Sequence, residues 1–305
     1  MAEHSEQMII KTSLKAFLAG LPGTSKTTCA LSFPGVEQSV WGIGEEETRE
    51  NFVGREDILP CVKWLWRDQL SEVEKDELAD DQTSDRRLEE LECKGKHANI
   101  VKFKKYIYKT ARQVEKGDRP ELLTFVVDNL CPLAEEFKYY IMTKYRDDIY
   151  TREGNFDGRK FWPKYLDELK ALIRLIVDLP VNVVITSHVA LSIEEENASK
   201  AFEPGAQKLN KEWLPNLDGK IRFEIGGLFS YCFFLWVEES PGKPNKYYAK
   251  AEADDRNIGL AKVRFQPFPN PRRIELKKNA FYEQLTTAMA SARARARDNK
   301  EVTSK

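Results

Sequence analysis

Residues Gly20, Leu21, Pro22, Gly23, Thr24, Ser25, Lys26, Thr27 and Thr28 have the types and spacing of a phosphate-binding loop. Glycines let the backbone turn its N–H groups toward an anion, and a helix that starts at the loop adds its dipole. In such a loop Lys26 reaches the β- and γ-phosphates, and the Thr27 hydroxyl holds Mg²⁺. Ser25 stands where the pattern G-x-x-x-x-G-K-[ST] has its second glycine. Serine there gives up the free backbone dihedrals and close approach that glycine allows. A chance turn before an ordinary helix is the competing reading of the same residues.

The elements around the loop suit the first reading. Ser13 to Ala19 reads as a short buried strand, and Thr27 to Phe33 as a helix stopped by Pro34-Gly35. Leu122 to Asp128 is an apolar strand ending in a carboxylate, which fits a Walker B aspartate holding Mg²⁺ through water. Hydrolysis also needs a group that orients the attacking water. Glu45 is the first candidate and Glu46 the second, at the end of a strand over 38–44; the alternative is an exposed acidic turn. His188 and Thr186 close the strand 181–188, whose C-terminal edge faces a nucleotide in an open α/β sheet. Lys262 and Arg264 alternate on an extended segment and so point the same way. They are either cationic fingers for a neighbour's site or solvated basic residues.

The whole chain alternates strands and helices, which implies an α/β core with a largely parallel sheet. Residues from Trp64 to about Val114 are charged, with apolar residues at helical spacing, and read as helices with a solvated loop at 80–84. Phe161 to Leu179 is an amphipathic helix. A polar segment follows His188 to about Arg222. Then come two strands, 229–237 and 246–251, joined by a turn at 241–245. One domain is expected over 1–285, with a charged helical insertion at about 64–118. A flexible basic tail, 286–305, is either a nucleic-acid arm or a solubilising tail.

Among 305 residues, 41% are hydrophobic and 32% charged, which is the composition of a soluble globular protein. No apolar run approaches the ~20 residues that span a bilayer. The polar N-terminus lacks the features of a signal peptide. Five scattered cysteines without a CxxC suit reduced thiols in a cytoplasmic protein, the host cytoplasm if the chain is viral. With a net charge of −1, any nucleic-acid surface must be local.

Four stretches together resemble the RecA-like P-loop ATPases of bacteriophages, a group described as phage nucleotide-binding or single-strand-annealing ATPases. They are GLPGTSKTT at 20–28 with SFPG at 32–35, FVVDNL at 125–130, the run at 162–189 ending in Thr-x-His-Val, and 214–238 leading to LAKVRF at 260–265. The resemblance implies a RecA-like core that binds and hydrolyses ATP with Mg²⁺. It places the second strand, with Glu45 and Glu46, beside the P-loop strand. It implies that His188 contacts the nucleotide, that the following loop binds single-stranded DNA, and that Lys262 and Arg264 serve an adjacent subunit of a ring or filament. The expected role is DNA recombination or strand annealing. The alternatives are an ATPase that remodels protein partners and a nucleotide-gated structural protein with weak hydrolysis. Ser25 departs from the family pattern, and Glu194-Glu195-Glu196 puts negative charge in the loop expected to meet DNA.

Overall fold

The computed structural model describes residues 13–36, 40–42, 62–64, 73, 76–77, 80, 82, 84–195, 209–252, 260–263 and 273–291. Its frame is a mixed sheet of ten strands. In chain order the elements are β1 (Lys15–Gly20), α1 (Lys26–Ala30), β2 (Val40–Gly42), β3 (Val62–Trp64), α2 (Asp85–Glu115), β4 (Thr124–Asp128), α3 (Leu130–Lys144), α4 (Arg146–Ile149) and α5 (Gly158–Val177). There follow β5 (Asn182–Glu195), β6 (Leu209–Pro215), α6 (Ile221–Glu224), a 3₁₀ turn (Ile225–Leu228), β7 (Tyr231–Glu238), β8 (Lys246–Lys250), β9 (Lys262–Val263) and β10 (Arg273–Glu275). A last helix, α7, covers 281–291.

The strand order is β10-β8-β7-β1-β5-β4-β2-β3. From β7 to β3 every pairing is parallel, while β8, β9 and β10 add antiparallel pairings on the β7 side. This is the expected α/β class.

Buried residues alternate along the central strands, as a sheet covered on both faces requires. Phe17 and Ala19 of β1, Phe125 and Val127 of β4, and Val183 and Ile185 of β5 face α2, α3 and α5 in one apolar cluster. Ala16, Leu18, Val126, Val184 and Phe233 face the opposite way, toward α1 and α7. Each fully buried large apolar side chain contributes about 1.5–3 kcal/mol, so these two layers fix the strand register that positions the site.

Three expectations are corrected. The second strand does not lie beside the P-loop strand: β2 pairs with β4, and both β4 and β5 separate it from β1. Trp64 is in a strand rather than at the head of a helical stretch. The chain after His188 is not a polar loop throughout, because β5 continues to Glu195 and pairs antiparallel with β6 from Val189↔Pro215 to Glu195↔Leu209. That hairpin supplies its own backbone hydrogen bonds, so the strand persists beyond the sheet.

The charged stretch before β4 holds an amphipathic helix, as its apolar residues at helical spacing imply. Its helix α2 buries Leu91, Ile100, Phe103 and Ile107. The helix over 281–291 likewise buries Leu285 and Met289. No helix among the described residues is long and apolar enough to cross a membrane.

Candidate functional site

Strand register brings the candidate residues to one edge. Gly20 ends β1 level with His188 of β5 and Leu235 of β7. Val127 pairs with Ile185, and Gly42 pairs with Asp128. The loop 21–25, Asp128, Thr186 and His188 therefore share the C-terminal edge of the parallel strands, where open α/β sheets bind ligands.

The loop's shape follows from its small residues. A Cβ on Gly20 would lie 2.5 Å from Thr24 Oγ1 and 2.6 Å from the Leu235 carbonyl oxygen. Only glycine fits there. Gly23 has φ 76°. Ser25 also has a positive φ, 64° with ψ 25°, in the left-handed region. Serine thus occupies the conformation for which the motif uses glycine, and its side chain makes no capping hydrogen bond to offset the strain. Buried Thr24 donates to the Leu21 carbonyl at 2.8 Å and closes the turn from within. Leu21, Pro22 and Gly23 are exposed, while Thr27 and Thr28 are half-buried at the start of α1.

Lys26 is 6% exposed. Its ammonium donates to the carbonyls of Gly20 at 3.1 Å and Leu21 at 2.7 Å, folded back on its own loop. Burial lowers its pKa to about 8, against the opposing pull of the nearby Asp128 and Cys131. The Thr27 hydroxyl donates to Asp128 Oδ2 at 2.6 Å. The buried Thr186 hydroxyl donates to Asp128 Oδ1. Asp128 is thereby clamped between the P-loop helix and β5. A hydroxyl and a carboxylate side by side are hard oxygen donors of the kind Mg²⁺ takes.

His188 is half-buried, and its Nδ1 has no hydrogen-bond partner among the described residues. Burial and the Lys26 charge hold its pKa below the usual histidine value, against Asp128. Buried polar atoms are normally paired, and an orphan at this edge suits a ligand group. The His188 carbonyl accepts the Asn216 N–H at 2.9 Å, which ties this position to the chain leaving β6.

The sequence reading missed Cys131 and Ser187. Cys131 sits in the first turn of α3, its thiol 3.4 Å from the Ser187 hydroxyl and 3.8 Å from the His188 carbonyl. Burial raises its pKa despite these contacts and the nearby Lys26. Its place three residues after Asp128, on a helix that starts from the site edge, was the available signal. Asn129 caps that helix, accepting the Cys131 N–H at 2.8 Å.

The remaining candidates are not gathered here. Glu45, Glu46 and Arg264 lie outside the described residues, as does the side chain of Lys262. The Lys262 backbone pairs with Cys232, which is level with Phe17 and three positions along β7 from Leu235.

A family model described as AAA domain matches residues 12–265. No curated protein matches the chain.

Proposed function

Because this chain belongs to the AAA domain family, we propose that it binds ATP with Mg²⁺ at the Gly20–Thr28 loop and hydrolyses it. The observation that carries this reading is the Thr27–Asp128 hydrogen bond at 2.6 Å, beside a buried lysine held on the loop. The loop N–H groups receive the phosphates, and Lys26 swings from its own carbonyls onto the β/γ oxygens. Thr27 and Asp128 are the groups that would hold Mg²⁺, which when bound neutralises charge on the phosphate oxygens. His188 meets the γ-phosphate side of the nucleotide through its unpaired nitrogen. Phosphoryl transfer asks mainly for positioning and charge stabilisation, and these residues can supply both.

Glu45 orients the attacking water, with Glu46 as the alternative. The pairing of Gly42 with Asp128 supports this, since the chain leaves β2 next to the metal-binding carboxylate. The biological role proposed is that of a bacteriophage RecA-like protein in DNA recombination or strand annealing, working as a ring or filament. Single-stranded DNA would engage the β5–β6 hairpin, which is tied to His188 through Asn216.

The test is ATP turnover with and without single-stranded DNA. The wild type should hydrolyse ATP and bind the strand more tightly in its presence. Lys26→Ala should lose both effects while keeping its fold. Unchanged turnover in Lys26→Ala would sink the site assignment. Turnover that ignores DNA would favour a remodeller of protein partners.

A further inference from the structure

The C-terminal half of α2 carries a second charged feature, apart from the nucleotide edge. Lys105, Lys109, Arg112 and Lys116 are spaced by four, three and four residues, so they form one stripe along the helix. All four are exposed. Tyr108 stands beside them with 54% of its surface exposed. The opposite side of the helix is sealed, with Ile100, Phe103 and Ile107 buried and Phe103 packed on Phe125 of β4. The stripe faces outward, and with Tyr108, Gln113 and Asp118 it lines a shallow groove of about 360 Å³.

Four like charges at these spacings repel one another. A surface helix ordinarily offsets this with acidic residues, as Lys104 of the same helix does with Glu168. Among the described residues Lys105, Lys109, Arg112 and Lys116 pair with no carboxylate. Glu115 and Asp118 are the acids closest in sequence. The whole chain has a net charge of −1, so this concentration is local.

We infer that this face of α2 binds the backbone of single-stranded nucleic acid, with Tyr108 stacking on a base. Eleven residues at 1.5 Å rise set the outer cations about 16 Å apart, the span of a few nucleotides. An exposed ring among cations is the arrangement that single-strand binders use, because every base offers a π-face and every phosphate a charge. A membrane surface fits less well. An interfacial helix must offer its apolar face to lipid, and here that face is buried. A protein partner also fits less well, since interfaces are depleted in lysine. This site is independent of the proposed nucleotide-dependent hairpin contact, because nothing in it touches the P-loop.

The experiment follows fluorescence anisotropy of a labelled oligo-dT of about 25 nucleotides on the full chain without ATP. A duplex of equal length and phosphatidylserine vesicles run in parallel. The wild type should bind oligo-dT at low salt. Lys105→Gln/Lys109→Gln/Arg112→Gln should lose at least about tenfold in affinity, and its log–log salt slope should shrink by about 2, at about 0.7 per lost contact. Lys105→Arg/Lys109→Arg should bind as the wild type does, which separates lost charge from lost fold. Tyr108→Ser should weaken binding about fivefold or more without changing the slope. Wild-type binding by the triple variant overturns the stripe, even if ATP-dependent binding through the hairpin survives. So does the absence of oligo-dT binding at low salt, or binding to the vesicles alone. Equal binding of duplex and oligo-dT with a neutral Tyr108→Ser overturns the single-strand assignment.

Discussion

The Thr27 hydroxyl donates to Asp128 Oδ2 at 2.6 Å across 101 residues of sequence. Two of the parallel pairings create this contact. β1 and β4 both pair with β5, which brings the end of β4 within reach of the helix that starts after β1. Thr186, from the strand between them, holds the other carboxylate oxygen. The aspartate is thus aimed before any ligand arrives. Asp128→Asn should lower turnover at least a hundredfold and weaken the Mg²⁺ dependence of ATP binding, with little loss of affinity for free ATP. Thr27→Ala should move both in the same direction by about tenfold. A magnesium titration of nucleotide affinity in each variant checks this, and a wild-type magnesium dependence in Asp128→Asn would remove that residue from the site.

Lys26 predicts a pH dependence. Burial lowers its pKa to about 8 in the free protein. Nucleotide phosphates favour the charged ammonium, so binding raises that pKa and draws in a proton. Affinity should therefore fall as pH rises through about 8, where phosphate itself is already fully ionised. Calorimetry in buffers of different ionisation enthalpy should register proton uptake near pH 8.5. Lys15 also has a pKa lowered to about 8, but it donates to carbonyls at the far end of β1. Lys26→Arg separates the two, because arginine stays charged and should flatten the profile above pH 8.

The three small residues of the loop should rank by what each conformation demands. Gly20→Ala forces a Cβ to 2.5 Å from Thr24 Oγ1 and 2.6 Å from a backbone carbonyl. It should cost about 2 kcal/mol or more and disrupt nucleotide binding. Gly23 has φ 76°, and a Cβ there would meet nothing within 4 Å, so Gly23→Ala should cost only the backbone strain, about 1 kcal/mol. Ser25→Gly should relieve strain and stabilise by up to about 1 kcal/mol. Thermal melts of the three variants test this order, and a destabilised Ser25→Gly would contradict the strained position assigned to serine.

Much of this site was legible because it is local. A strand, a Gly/Ser/Thr loop and Lys26-Thr27 lie within fourteen residues, and an apolar run marks Asp128 as a strand end. Register was not legible. Nothing in the sequence around Val40 says that β2 pairs with β4 rather than β1, since parallel pairing is set by packing between distant segments. The β5–β6 hairpin was hidden because the nearly apolar run Val189, Ala190, Leu191, Ser192, Ile193 leads straight into Glu194, Glu195 and Glu196, with little of the period-2 alternation that marks a strand. The stripe on α2 was obscured for a different reason. Its four cations sit among other charges, and only the burial of Ile100, Phe103 and Ile107 reveals which face they share.

Glu136 on α3 should make stability fall with pH. Burial raises its pKa from 4.5 to about 7, against a hydrogen bond with Asn99 and the charge of Lys96. Its Oε2 has no partner among the described residues. The folded state therefore keeps a proton between about pH 4.5 and 7 that the unfolded chain releases, so stability declines as pH rises across that window. Glu136→Gln keeps a neutral side chain of the same shape beside Asn99. It should raise stability at pH 8 by on the order of 2 kcal/mol and change it little at pH 4.5. Urea unfolding of both proteins at the two pH values decides the matter, and an equal effect at both would mean that Glu136 is not the titrating group.

The last prediction concerns assembly. Lys262 pairs with Cys232, three register positions from the Gly20–Leu235 level, and β9 runs antiparallel to β7, away from the P-loop edge. At about 3.3 Å per residue this sets its backbone about 10 Å from its own site edge. A cation that serves a γ-phosphate from such a segment should therefore serve a neighbour's. Charge gathers on the γ-oxygens in the transition state, and a cation in trans stabilises it while coupling turnover to assembly. Lys262→Ala/Arg264→Ala and Lys26→Ala should each be nearly inactive alone. Mixed, they should recover part of the wild-type rate, because some interfaces then join an intact loop to intact cations. Specific activity should also rise with protein concentration, as sedimentation shows larger species with ATP and Mg²⁺. A monomer that turns over ATP at a rate per chain independent of concentration would rule out the shared site and leave Lys262 and Arg264 as solvated surface residues.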